Sequence, residues 1–385
     1  MNTQNYMSIC IRSGLGALLL AAVVAVTPHT ADANTAANAL IHNIAIVNYK
    51  DAGGTSQTAI TASADVIVTL VASAPTLSAP VDQNTTPGTP VTYNYTITAT
   101  ANGPDTYNLS KTIAESAGIT TGTSTAVVSP SVVLGASTIA APVTISAAGT
   151  TAIVVPSDGV AGGSVNGIAL GNTVVIAGAA YTVASVVDNA AGTSTITVTG
   201  NGIASAALPY GTLIAQRQSF TVLVTPGTVT ANTTQTVTVN LTATSVADGT
   251  KSVTDQTVTT VLVANLTVVK EVSKDGVSWS AATTAAPGTP LYYRISVTNN
   301  GGSNATSVVI TDPLTTYTSY VLGSGKRATG AAVSYAAAAT ALTDGADGDG
   351  YDWSVTTAGT VTYAVGTLAT GLVNMVQLFF QANVR

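Results

Sequence analysis

The tetrapeptide Pro-Gly-Thr-Pro occurs at 87–90 and again at 287–290, and each copy opens a run of alternating residues. The first run is Val91, Tyr93, Tyr95 and Ile97; the second is Leu291, Tyr293, Ile295 and Val297. Side chains of a strand point to opposite faces in turn, so each run predicts one strand with one buried face. A turn follows each: Ala101-Asn102-Gly103-Pro104 in the first, Asn299-Asn300-Gly301-Gly302 in the second. A strand–turn unit used twice confines the chain to a repeated β architecture.

Composition agrees. Charged residues make up 7 % of the 385 residues, against about 25 % in ordinary soluble domains. Thr, Ala, Val, Gly and Ser dominate. β-Branched residues favour strands, and Gly and Pro punctuate them. Hydroxyl groups keep an outer face wet without charge. The net charge is -6, and the eleven Lys and Arg never cluster. Nucleic-acid binding needs a basic patch, so that class is excluded, as is attraction to an acidic membrane surface.

The N-terminus reads as a secretory signal, residues 1–33. Arg12 supplies the positive flank, Leu15 to Val26 the apolar core, and Ala31-Asp32-Ala33 a small-x-small cleavage site. The core is short for a span of roughly 30 Å of hydrocarbon, so no membrane insertion is expected after cleavage. Cys10, the only cysteine, precedes that core. The mature chain is therefore expected to hold together, outside the cell, without disulfides.

Residues 34–80 read as a hairpin: Ile44, Ile46 and Asn48-Tyr49, a turn at Asp51-Ala52-Gly53-Gly54, then Ala64 to Val71. Residues 81–265 read as a first sandwich. A small β module is inserted at about 131–215, where only Asp158 and Asp188 carry charge. Its strands are expected at Thr151–Val155, Thr173–Ile176, Tyr181–Val187 and Ser194–Val198. The sandwich closes with a hairpin over Asn240 to Val263, turning at Ala247-Asp248-Gly249. Residues 266–385 read as a second sandwich, ending in the apolar strand Met375 to Val384.

The two units are circularly offset. The first ends with a hairpin, the second stops where its own hairpin should begin, and the mature chain starts with a hairpin that has no unit before it. The expectation is an open second sandwich with the Phe-rich last strand at an unpaired edge, filled by the hairpin of another copy. The alternative is a hairpin folded back on its own first unit.

The second unit carries Gly288-Thr289-Pro290-Leu291-Tyr292-Tyr293, Ser296-Val297-Thr298-Asn299 and Val308-Val309-Ile310-Thr311-Asp312-Pro313-Leu314. Then follow Tyr320-Val321-Leu322-Gly323-Ser324, Gly366-Thr367-Leu368-Ala369-Thr370-Gly371 and Val376-Gln377-Leu378-Phe379-Phe380. In this order they resemble the domain-of-unknown-function-eleven repeat of bacterial and archaeal surface proteins. The first unit is similar but diverged, lacking the turn Asn and the Asp-Pro step. The resemblance implies an immunoglobulin-like β-sandwich on secreted surface proteins and no catalytic residues. The whole chain is thus expected to be all-β: tandem immunoglobulin-like sandwiches, a small inserted module and an N-terminal hairpin.

Chemistry has few places to reside. Asp344, Asp347, Asp349 and Asp352 lie in one Gly-rich stretch, a composition suited to a structural Ca2+ ion, though no EF-hand pattern is present. After cleavage His42 is the only histidine, and Glu115 and Glu271 are the only glutamates. A Ser nucleophile lacks its base and orienting acid. Lys111, Lys270 and Lys274 are candidates for a Lys–Asn crosslink. The Asn-x-Thr/Ser sites at Asn84, Asn94, Asn108, Asn232, Asn240, Asn265 and Asn304 are what a Thr-rich chain contains by chance. The tyrosines, Tyr93, Tyr95, Tyr292 and Tyr293 among them, are expected to pack. The functional expectation is a non-enzymatic structural protein, extracellular or at the cell surface, that self-associates head-to-tail into a homopolymer as a cell-envelope component. The alternative is a monomeric adhesin or binding module with a calcium-stabilised loop.

Overall fold

A computed structural model describes residues 35–189, 192–200, 202 and 205–385. The predicted signal peptide lies outside the described residues. Each Pro-Gly-Thr-Pro motif makes the same turn. Thr89 N–H donates to Thr86 O, 3.1 Å, and Thr289 N–H to Ala286 O, 3.1 Å. Pro stands second in each turn and Gly third, with φ of 72° at Gly88 and 84° at Gly288. Only glycine takes that conformation without strain, which explains why the motif is used twice.

The N-terminal hairpin is β1 (Leu40–Val47) and β2 (Ile60–Ile67), a separate two-stranded sheet. The first sandwich begins with β3 (Thr76–Ser78), β4 (Gln83–Thr85), β5 (Val91–Thr98), β6 (Asp105–Glu115), β7 (Thr125–Val127), β8 (Ser131–Leu134) and β9 (Ala136–Thr138). The inserted module follows: β10 (Val143–Ile145), β11 (Thr150–Pro156), β12 (Ser164–Val165), β13 (Ile168–Ala169), β14 (Thr173–Ile176), β15 (Ala179–Asp188), β16 (Thr193–Thr199) and β17 (Ala206–Leu208). The parent sandwich resumes with β18 (Leu213–Thr225), β19 (Gln235–Ser245) and β20 (Ser252–Val261).

One sheet of the first sandwich runs β3-β5-β18 and the other β4-β20-β19-β6-β8. β3 and β4 are one strand that switches sheets near Pro80; β4 then lies parallel to β20. This is an immunoglobulin-like arrangement. Its core holds Tyr93, Tyr95, Ile97, Tyr107, Val222, Val237, Val239 and Leu241. The module has its own core, from Ile139 to Ile214, and its sheet joins the parent through β14, which pairs with the first residues of β18. Residues 131–138 form β8 and β9, which pair with the parent strands β6 and β18.

The second sandwich comprises β21 (Leu266–Ser273), β22 (Pro290–Asn299), β23 (Ala305–Pro313), β24 (Thr318–Tyr320), β25 (Lys326–Thr329), β26 (Thr340–Ala341), β27 (Tyr351–Trp353), β28 (Thr360–Leu368) and β29 (Val376–Val384). One sheet runs β21-β22-β29-β25-β26, with β24 also on β29; the other is β23-β28-β27. Both edges of β29 are therefore paired. The expected unpaired edge does not lie at the Phe-rich strand, because the short, polar β24 and β25 cover it.

Candidate functional site: an open slot in the second sandwich

Strand registers align the two sandwiches residue by residue. Tyr93 pairs with Val222 and Tyr95 with Phe220; Tyr293 pairs with Phe380 and Ile295 with Leu378. β29 thus stands where β18 stands. Likewise Asp105 pairs with Leu134 and Ala305 with Leu368, so β28 stands where β8 stands. In the first sandwich the other edge of β6 carries β19, and β19 carries β20. In the second, no strand among the described residues occupies the corresponding edge of β23.

The vacancy is physical. A groove of ≈320 Å³ opens between β21, β22 and β23, lined by apolar side chains including Val268, Ile295, Val297 and Val309. Val268 is 61 % exposed and Val309 53 % exposed. In the first sandwich Val237, Val239, Leu241 and Val261 of β19 and β20 fill the same space and are fully buried.

Polar groups of the groove also lack what the filled slot provides. The Tyr93 hydroxyl donates to Val258 O of β20, 3.0 Å, and lies 2.9 Å from Thr259 Oγ1. The Tyr293 hydroxyl has no hydrogen-bond partner among the described residues; partial burial, then the nearby Asp312 charge, raises its pKa. Lys270 Nζ lies 5.2 Å from the Tyr293 ring centroid. It donates to Asp312 Oδ1 at 2.7 Å and sits 2.7 Å from Oδ2. Oδ2 is buried and receives only this charge contact, without hydrogen-bond geometry.

The hairpin shows the complementary deficiency. Every residue of β1 and β2 is exposed, including Leu40, Ile41, Ile44, Ile46, Val47, Ile60, Val66 and Ile67 at 50–65 %. It is not folded back on the first sandwich. Only its root docks: Asn102 Oδ1 accepts Val71 N–H at 2.7 Å, and Asn102 Nδ2 donates to Thr35 O and Thr69 O. That docking draws residues 68–71 out of the strand, so β2 ends at Ile67 rather than at the expected Val71.

Asn299 makes the same knot where β20 passes into β21. Its Oδ1 accepts Asn265 N–H and Gly301 N–H, and its Nδ2 donates to Ser303 O and Leu368 O. The first unit thus has its turn Asn after all, displaced to Asn102. Asn299→Ala is expected to strand several buried polar groups, costing about 2–4 kcal/mol and lowering the second sandwich's Tm by roughly 8 °C, measured by calorimetry.

Hydrogen bonds hold each carboxylate of the acidic stretch. Asp344 accepts from the Tyr320 hydroxyl and Gly323 N–H, Asp347 and Asp349 from Thr343, and Asp352 from Thr356. Among the described residues no three acidic or imidazole side chains gather as a metal site. His42 pairs with Asp65 across the hairpin. Glu271 pairs with Arg294, and the carboxylate beside Lys270 belongs to Asp312. Tyr93 and Tyr95 are core residues, and Tyr292 packs edge-on against Tyr335. Sequence reading missed Lys270, Tyr293 and Asp312 as a group, since they meet only across the two sheets.

No protein-family model matches the chain, and no curated protein matches it. The likeness of residues 266–385 to the surface repeat is therefore one of motifs. Among solved structures, the C-terminal domain of the Streptococcus pyogenes antigen I/II-family protein AspA covers 90 % of this chain and 91 % of its own, at 13 % identity and TM-score 0.33. A structure named BspA_C_WT covers 79 % and 87 % at 10 % identity and TM-score 0.30. A Corynebacterium diphtheriae protein described as membrane anchored covers 90 % and 88 % at 8 % identity and TM-score 0.21. At such TM-scores these neighbours decide nothing about this chain.

Proposed function

We propose that the chain is a non-enzymatic building block of an extracellular or cell-surface filament, joined when the β1–β2 hairpin of one copy enters the β23 slot of the next. One observation carries this reading. The slot left open in the second sandwich is occupied in the first by β19–β20, a hairpin of the same pattern, while β1–β2 pairs with no other strand among the described residues. Pairing would satisfy the free edge of β23 and bury the exposed apolar side chains of both partners. Donor and acceptor are different surfaces, so the contact is heterologous and extends as an open chain. The signal-like N-terminus supports secretion.

The test is removal of residues 35–67 from the purified mature chain. The intact protein is expected to polymerise and the shortened one to remain monomeric, by negative-stain imaging and light scattering, with calcium and with chelator. Polymers of the shortened chain would end this reading. If the intact chain stays monomeric, a lone adhesin or binding module takes its place.

A further inference from the structure

The slot carries the Lys270–Asp312 ion pair, and the hairpin carries His42 and Asp65, hydrogen-bonded to each other and exposed. Alignment with β19–β20 fixes which face of the hairpin points inward. Inward residues of β19 are Val237, Val239, Leu241 and Ala243, buried; Asn240 points out. Aligning Asn43-Ile44 with Asn240-Leu241 turns Leu40, His42, Ile44 and Ile46 inward. The partners of Leu40, His42, Ile44 and Ile46 across the hairpin are Ile67, Asp65, Ser63 and Thr61. They match the inward Thr259, Thr257, Asp255 and Val253 of β20, where polar residues also predominate.

In the filled slot a carboxylate of the last strand reaches the first strand: Asp255 Oδ2 accepts Ala79 N–H at 2.8 Å. Extending the β3–β5 register by one residue sets Ala79 beside Tyr95. Its counterpart in the second sandwich is Lys270, which pairs with Ile295. A lysine therefore stands where the last strand's carboxylate arrives. Its side chain is long enough to span the one pair of residues between the Asp255 and Asp65 positions.

We propose that Asp65 of the entering hairpin pairs with Lys270 of the receiving sandwich. This deepens the filament reading and rests on it. The Tyr293 hydroxyl gains the carbonyl of Val66, the counterpart of the Val258 O to which Tyr93 already donates. His42, Asp65, Lys270 and Asp312 then form one closed set instead of two half-solvated pairs, and charges leaving water need such company. The pair also fixes register. A slip of one residue turns Asp65 to the outer face and leaves Lys270 facing apolar side chains.

The test uses full-length mature chains and reads the critical concentration for polymerisation by light scattering. Asp65→Lys alone and Lys270→Asp alone are expected to raise it at least about tenfold; combining both in one chain is expected to return it to within about threefold of the parent. Lys270→Met, which keeps the side-chain length but takes the cation from Asp312, is expected to weaken assembly and flatten its salt dependence in chains that calorimetry shows still folded. The proposal is overturned if the single variants polymerise like the parent, or if the double variant is no better than either. The hairpin deletion separates the two levels. A deleted chain that fails to polymerise beside an indifferent Asp65→Lys chain removes only the ion pair; a deleted chain that polymerises removes strand donation itself.

Discussion

Moving the hairpin to the other end of the chain should produce a closed monomer whose second sandwich melts at least about 10 °C higher. The rearranged chain would begin at residue 68 and continue past Arg385 through a linker copied from residues 226–234, which join β18 to β19. Residues 40–67 would follow. Its own hairpin would then lie where β19–β20 lies in the first sandwich. Burying Leu40, Ile44, Ile46 and Ile67 at about 1.5–3 kcal/mol each gives an upper bound near 6–12 kcal/mol, reduced by the residual burial of the unfolded chain. Even half of that exceeds the entropy of ordering a short linker. The readouts are calorimetry and a scattering mass equal to one chain. A rearranged protein that polymerises, or melts with the parent, would show that the slot does not accept this hairpin.

The second large effect discriminates the two hairpin faces. Ile44→Asp with Ile46→Asp is expected to abolish assembly, raising the critical concentration roughly a thousandfold or more. Each inward carboxylate would be buried without a partner, at about 3–5 kcal/mol. Ile41→Asp with Val47→Asp adds the same charge to the same strands but on the outward face, and chains carrying it should still elongate. Neither pair can unfold the monomer through packing, because all four side chains are exposed there. Equal behaviour of the two variants would refute the face assignment.

Much of this fold was legible in the sequence, because alternation is a local signal. The strands 91–98, 173–176 and 193–199 follow directly from it, as does the repeat of Pro-Gly-Thr-Pro. Legibility failed where long-range geometry intervenes. β24 and β25 are too short and polar to show a period, yet they cover β29 and move the opening to β23. Asn102 could not be recognised as the counterpart of Asn299, since equivalence lies in the docked chain root and not in position. Lys270 and Asp312 are 42 residues apart, and nothing in their spacing reveals that they face each other.

The outer face of the hairpin has a consequence of its own. Outward residues of β19–β20 are hydroxyls and amides such as Thr238, Asn240, Thr242 and Gln256, whereas those of β1–β2 are Ile41, Ala45, Val47, Ile60, Ala62, Ala64 and Val66 beside Asn43. Seating the hairpin would hide one side and leave this second greasy stripe showing at every joint. Strands of polymer would thus adhere laterally at the spacing of one subunit, and the mature material would be a cable or a mat.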